Sequence, residues 1–183
     1  MHVLAFAGSI RRDSFNRSLI RAVPELAPDG MEVEIWDRVA DIPLYNADSD
    51  SDQARPGPVT ELKEKVADAD ALLLAVPEYN WGMSGVLKNA IDWVSRPAFK
   101  SPLVDKPVAM IGASGGAGGT ARAQTQLRDV LASVLAHTMP HPGVQVATAR
   151  NKFTDGRLAD QPTRDFLANF LVAFRDYAAR LGD

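Results

Sequence analysis

Residues 71–76, Ala-Leu-Leu-Leu-Ala-Val, form an unbroken apolar run, with Asp68 and Asp70 ahead of it and Pro77 directly behind. The run is too short for a typical helix and offers no polar face, so it reads as a strand buried on both sides. Strands of that kind belong to parallel sheets, and open α/β sheets bind ligands outside the carboxyl ends of their strands. What leaves this end is Pro77-Glu78-Tyr79-Asn80-Trp81-Gly82-Met83-Ser84-Gly85, ahead of a helix expected over about Val86–Ser95. A plain connector has no need of Tyr79 and Trp81 at solvent. An aromatic, amide-bearing loop in that position points to a flat heterocyclic ligand.

A second strand, His2–Ala7, runs into Gly8-Ser9-Ile10-Arg11-Arg12-Asp13-Ser14-Phe15-Asn16 and then a helix expected to reach Leu26. Ser9, Arg11, Ser14 and Asn16 gather hydroxyls, a guanidinium and an amide around a helix N-terminus. Free backbone N–H groups and the helix dipole favour an anion there, and hydroxyls and arginine add phosphate hydrogen bonds. Ordinary N-capping by Ser14, with Arg11 and Arg12 solvated, accounts for the same residues. The place of the loop after the first strand, where doubly wound folds hold phosphates, favours the phosphate reading.

A third strand, Pro107–Ala113, leads into Ser114-Gly115-Gly116-Ala117-Gly118-Gly119-Thr120 and a helix expected over Ala121–Ala136. Glycines let backbone approach a ligand closely. Residues 116–121 loosely fit the dinucleotide fingerprint G-x-G-x-x-G/A, but no strand-ending acidic residue follows about 20 positions on, and the match is set aside.

Elsewhere the order is regular. Met31–Trp36 alternates polar and apolar residues as an edge strand does. An excursion over Asp37–Pro58 contains Ile42-Pro43-Leu44-Tyr45-Asn46 and an Asp48–Asp52 run, read as a solvated loop because no Glu or Gly completes a calcium motif. A helix follows over Val59–Ala67, then a fifth strand at Val144–Ala147. The Asp155-Gly156 pair suggests a small hairpin within Phe153–Leu158, and a closing amphipathic helix carries Phe166, Phe170 and Phe174. The expected fold is a single α/β domain over residues 1–183: a doubly wound, five-stranded parallel sheet in a three-layer sandwich.

The balance of 20 basic against 23 acidic residues, a formal net charge of −3, argues against nucleic-acid binding and is mild for a carrier that docks by charge. With no cysteine, thiolate nucleophiles, thiolate metal sites and disulfides are excluded. His2, His137 and His141 lack ligand spacing, so no metal site is expected. The chain enters its first strand without a leader, and no apolar run nears the roughly 20 residues of a membrane span. A cytoplasmic protein without membrane partners is expected.

Taken together, Gly8-Ser9-Ile10-Arg11 with Ser14-Phe15-Asn16, Pro77-Glu78-Tyr79-Asn80, Gly85-Val86-Leu87-Lys88-Asn89-Ala90-Ile91-Asp92-Trp93 with Ser95-Arg96-Pro97, the Ser114–Gly119 loop and Ala121-Arg122-Ala123-Gln124 resemble the NADPH-dependent FMN reductase family of flavodoxin-like proteins, in its chromate and quinone reductase branch. The resemblance runs over nearly the whole chain in order and spacing. It implies FMN as cofactor and NADPH or NADH as electron donor, with a hydride passing to the flavin and onward by a ping-pong cycle. Small acceptors such as quinones, flavins, azo or nitro compounds and chromate are implied; the competing reading is a flavodoxin-type electron carrier.

It further implies that Ser9 through Asn16, Phe15 included, cradle the FMN phosphate, with Ser9, Arg11, Ser14 and Asn16 as donors. Pro77, Glu78, Tyr79 and Asn80 would hold the ribityl chain and ring edge, with Ser114 and Gly115 on the other side. Tyr79 and Arg96 are candidate substrate contacts. No residue is assigned a covalent catalytic role. Ser84 stands where relatives commonly carry a proline, which is expected to loosen the loop. Asn89 and Trp93 are read as structural or as part of a subunit interface. A homodimer or homotetramer is expected, with Trp93 and Ile91 as partner-facing anchors.

Overall fold

The computed structural model describes residues 1–182. Strands β1 (His2–Ala7), β2 (Glu32–Ile35), β3 (Ala71–Ala75) and β6 (Pro107–Ala113) lie parallel in the order β2-β1-β3-β6. The short pair β4 (Glu78–Tyr79) and β5 (Gly82–Met83) forms a separate antiparallel hairpin after β3. Strands β1, β3 and β6 are almost wholly buried, as unbroken apolar runs require.

Beyond β6, the expected fifth strand appears as β8 (Val144–Val146), and a two-residue strand not expected from the sequence, β7 (His137–Thr138), precedes it on the same margin; both are parallel to β6. The segment between the two contains Pro140 and Pro142, which have no N–H to give a ladder. The helix expected to run unbroken to Leu26 is also divided, into α1 (Phe15–Arg21) and α2 (Val23–Leu26). Pro24 cannot donate to the carbonyl of Ile20, so the first helix stops and proline serves as an opening residue of the second. The small hairpin falls where Asp155-Gly156 placed it, as β9 (Phe153–Thr154) and β10 (Arg157–Leu158).

Side chains alternate across the sheet and fill two cores. Val3, Ala5, Leu73 and Ile111 face α1 and the closing helix α6 (Gln161–Gly182), meeting Leu19, Leu167, Phe170 and Phe174. Leu4, Phe6, Leu72 and Leu74 face α3 (Gly57–Asp68), α4 (Gly85–Val94) and α5 (Ala121–Ser133), meeting Leu62, Leu87, Trp93 and Leu127. The result is the expected α/β flavodoxin-like sandwich. Its chain leaves β1 toward β2 on one side and returns to β3 on the other, so the switch point lies at the carboxyl ends of β1 and β3. No helix among the described residues is long and apolar enough to cross a membrane.

Candidate active site

At the switch point, one serine holds the loops after β1 and β3 together. Buried Ser84 caps α4: its Oγ accepts from the Leu87 N–H at 3.2 Å and donates to the Gly8 carbonyl at 2.6 Å. A Cβ at Gly8 would stand 2.6 Å from Leu87 Cβ, 2.9 Å from Ser84 Oγ and 3.1 Å from Pro77 Cδ, so only glycine fits. The serine expected to loosen this loop therefore fastens it.

Past Gly8, the buried Ser14 hydroxyl caps α1 by accepting from the Arg17 N–H at 3.4 Å. Ser9, also buried, accepts from the Arg11 N–H at 3.4 Å, and the Arg11 guanidinium donates to the Asp13 carbonyl. The N–H groups of Phe15 and Asn16 open α1 and have no intrahelical acceptor. The Phe15 ring lies against Phe153, their centroids 5.3 Å apart. Asn16 is corrected in role. Its Nδ2 donates to the Ala113 carbonyl at 3.0 Å and its Oδ1 accepts from the Ala113 N–H at 2.9 Å, a buried bridge from α1 to the end of β6.

The aromatic loop is a hairpin turned by Asn80 and Trp81, both at positive φ (49° and 68°), the signature of a type I′ turn. Asparagine visits that region readily, whereas tryptophan there is strained, and strain of this kind gathers at functional sites. Tyr79 is 53% and Trp81 74% exposed, as expected of a ligand-facing loop. The Glu78 side chain points elsewhere: its carboxylate accepts from the backbone N–H groups of Arg122 (3.1 Å) and Ala123 (3.3 Å) and from Arg122 Nε (2.7 Å). It caps α5 and clasps the hairpin to it, so the expected cofactor contact is corrected for this side chain. The Met83 N–H donates to Gln126 Oε1 at 2.8 Å, a second clasp, and the Arg122 guanidinium stacks 5.2 Å from the Trp81 ring centre.

The loop after β6 has a different character. Ser114 donates its N–H to the Val146 carbonyl at 2.9 Å, while Thr148 and Ala149 donate theirs to the carbonyls of Gly116 (3.0 Å) and Ser114 (2.9 Å). Around a Cβ at Gly115 the nearest atom would be Arg150 Nε at 3.5 Å, and at Gly116 Ser114 Oγ at 3.9 Å. Neither glycine has a positive φ. Neither the chain's conformation nor its packing requires glycine at these two exposed positions, which leaves a bare backbone face for something outside the chain.

The helix α4 resolves two further expectations. Its Asn89 accepts from the Tyr45 N–H and donates to the Pro43 carbonyl, each at 2.8 Å, and Trp93 Nε1 donates to the same carbonyl at 2.8 Å. These bonds pin the 37–58 excursion. Trp93 is fully buried and Ile91 nearly so, which corrects their expected place as partner-facing anchors. Arg96 lies past the far end of α4, about 15 Å along the helix from Gly85 and away from the loops above. The structure does not bring it together with those loops; its guanidinium lies over Tyr45, 5.6 Å from the ring centre. Nearby, Lys63 donates to the Arg96 carbonyl at 2.6 Å, and burial, followed by the neighbouring Arg55 charge, pulls its ammonium below the usual lysine range.

Residues 1–151 match the model of a family described as NADPH-dependent FMN reductase. The chain belongs to that family. An NAD(P)H-dependent FMN reductase of Pseudomonas aeruginosa is 43% identical over 180 residues, covering 98% of this chain and 96% of the relative. A quinone reductase of Escherichia coli is 39% identical over 183 residues, covering 99% and 97%. Among solved structures, the flavoenzyme NAD(P)H:(acceptor) oxidoreductase FerB from Paracoccus denitrificans superposes with a TM-score of 0.86 at 35% identity, covering 98% of this chain and 97% of the other. The family resemblance, the flavodoxin-like fold and the oxidoreductase class expected from the sequence all stand.

For an FMN reductase the residues present fit the cofactor. The bare face at Gly115 and Gly116 is the kind of cradle a Cβ would fill, and the N–H groups opening α1 face the same end of the sheet. Sequence carries no sign that Arg122 and Gln126 clasp the hairpin. Their partners Glu78 and Met83 are 44 and 43 residues away, and no local signal links them.

Proposed function

We propose that this FMN reductase family member is an FMN-dependent NAD(P)H oxidoreductase that reduces quinones and similar small acceptors by a ping-pong cycle. The observation that carries the reading is the bare glycine face after β6, bridged by Asn16 to the donor-rich loop after β1. FMN, when bound, supplies the redox chemistry by accepting a hydride from NAD(P)H and passing the electrons on.

The protein binds and orients. Ser9, Arg11, Ser14 and the N–H groups of Phe15 and Asn16 meet the phosphate. The backbone of Pro77, Glu78 and Asn80 lines the ribityl chain and ring edge, opposite Ser114 and Gly115. Tyr79 borders the face that donor and acceptor share in turn. Glu78 and Gln126 hold the hairpin at that face through α5 rather than touching the ligand. One domain carries this site, in a cytoplasmic homodimer or homotetramer; chromate joins quinones, flavins, azo and nitro compounds in the acceptor class.

The test is anaerobic mixing of the FMN-loaded protein with NADPH or NADH, followed by a quinone. Rapid loss of the yellow flavin colour and its return on quinone addition are expected. Failure of both nicotinamides to bleach the flavin within minutes would overturn the enzyme reading in favour of an electron carrier.

A further inference from the structure

We propose that Arg150 is a further phosphate-recognising residue of the site, meeting a phosphate on a ligand seated along the Ser114–Gly116 face. This rests on the reading that the face belongs to the FMN site. Arg150 occupies the 3-10 turn Ala149–Asn151, directly after β8. The backbone leading into that turn is fixed to the glycine loop by the Thr148–Gly116 and Ala149–Ser114 hydrogen bonds, at 3.0 and 2.9 Å. Its position relative to the loop is therefore built in, and its Nε stands 3.5 Å from where a Gly115 Cβ would be.

The loop carries an arginine at each shoulder, and the two differ. Arg122, 3.3 Å from the corresponding point at Gly118, has its charge met by Glu78 and its plane laid on Trp81. Arg150 is exposed and pairs with no carboxylate among the described residues. An uncompensated guanidinium beside a bare backbone face is suited to an anion, and its planar fork matches phosphate in particular. The chemistry proposed above offers two phosphates: the 5′-phosphate that separates FMN from riboflavin, and the 2′-phosphate that separates NADPH from NADH. Asn16 ties Ala113, the residue before this loop, to the first turn of α1, so the glycine loop and the helix start proposed to meet the FMN phosphate are anchored to each other.

The experiment compares wild type with Arg150→Gln in two paired titrations. FMN-loaded protein is titrated with NADP⁺ and with NAD⁺ by calorimetry; the oxidised nucleotides prevent turnover. Protein stripped of flavin is titrated with FMN and with riboflavin by fluorescence. Arg150→Gln is expected to weaken the phosphate-bearing member of one pair by about tenfold and to leave its phosphate-free counterpart unchanged. Loss confined to NADP⁺ assigns the 2′-phosphate, and loss confined to FMN assigns the 5′-phosphate. Unchanged ratios in both pairs, or equal losses for both members of a pair, overturn the proposal. Wild-type protein that binds no FMN overturns the underlying reading instead, which keeps the two failures apart. Because the Arg150 side chain makes no hydrogen bond or ion pair among the described residues, an unchanged melting temperature is expected for the variant.

Discussion

The loops after β1 and β6 both open on the same end of the sheet and both contain glycine, yet for opposite reasons. Gly8 exists for the fold: Leu87, Ser84 and Pro77 already fill the volume its side chain would need. A Cβ at Gly115 or Gly116 would meet only ordinary van der Waals neighbours, neither φ is positive, and nothing inside the chain requires glycine there. The first loop is a fastened frame whose hydroxyls cap and brace it. The second is a bare surface tied to the turn after β8 through its backbone. Of these three glycines, one fills a crowded interior and two leave a backbone face bare, and the two kinds are separated by what a Cβ would meet.

The sharpest way to break this contrast is Gly8→Val. Overpacking at a fully enclosed position costs typically 1–3 kcal/mol or more, and here the added atoms meet a buried Cβ and a capping hydroxyl. A large drop in urea midpoint is expected, with FMN binding lost along with the fold. A variant as stable as wild type would mean the two glycines are not different in kind.

Next in size is Asn16→Ala, which leaves both backbone groups of Ala113 without their partner. Unsatisfied buried groups cost about 1–3 kcal/mol each, so a destabilisation of about 2–4 kcal/mol is expected in chemical denaturation. Arg11→Ala should act on the ligand instead. Losing one charge-assisted hydrogen bond of about 1.5–3 kcal/mol weakens FMN roughly ten- to hundredfold while riboflavin binding is unchanged, as measured by fluorescence titration.

Smallest in stability is Gly116→Ala. Its thermal midpoint should stay within the range of a neutral surface change, about 0.5 kcal/mol, while FMN affinity falls severalfold. Destabilisation without loss of FMN would reverse the assignment of this face.

Much of the frame was legible because local patterns carry it. The bounds of β1 and β6 match the apolar runs, and the Asp155-Gly156 turn appears where its chemistry placed it. The three loops that gather at the switch point could also be named from sequence, since each follows a strand's carboxyl end. Their internal wiring could not. Asn16 meets Ala113 across 97 residues, and Glu78 meets Arg122 across 44. Such pairings depend on how the layers stack, which residue types alone do not encode. Trp93 shows the same limit: an indole on a motif helix serves an interface or a core equally well until Pro43 is seen to accept its N–H. The two glycine types are likewise identical letters.

The break in the outer margin also bears on how copies of this chain can meet. One margin of the sheet is the four-residue β2, carrying Glu32 and Glu34, and the other is broken between β7 and β8 by a segment holding two prolines. Charged, short or proline-interrupted margins resist adding another strand. Both margins are therefore poor templates for a continuous ribbon of sheet from molecule to molecule, which works against fibrous growth of a chain built on apolar strands. The large apolar side chains that stay exposed lie instead on helix faces and loops, Leu44 and Trp81 among them.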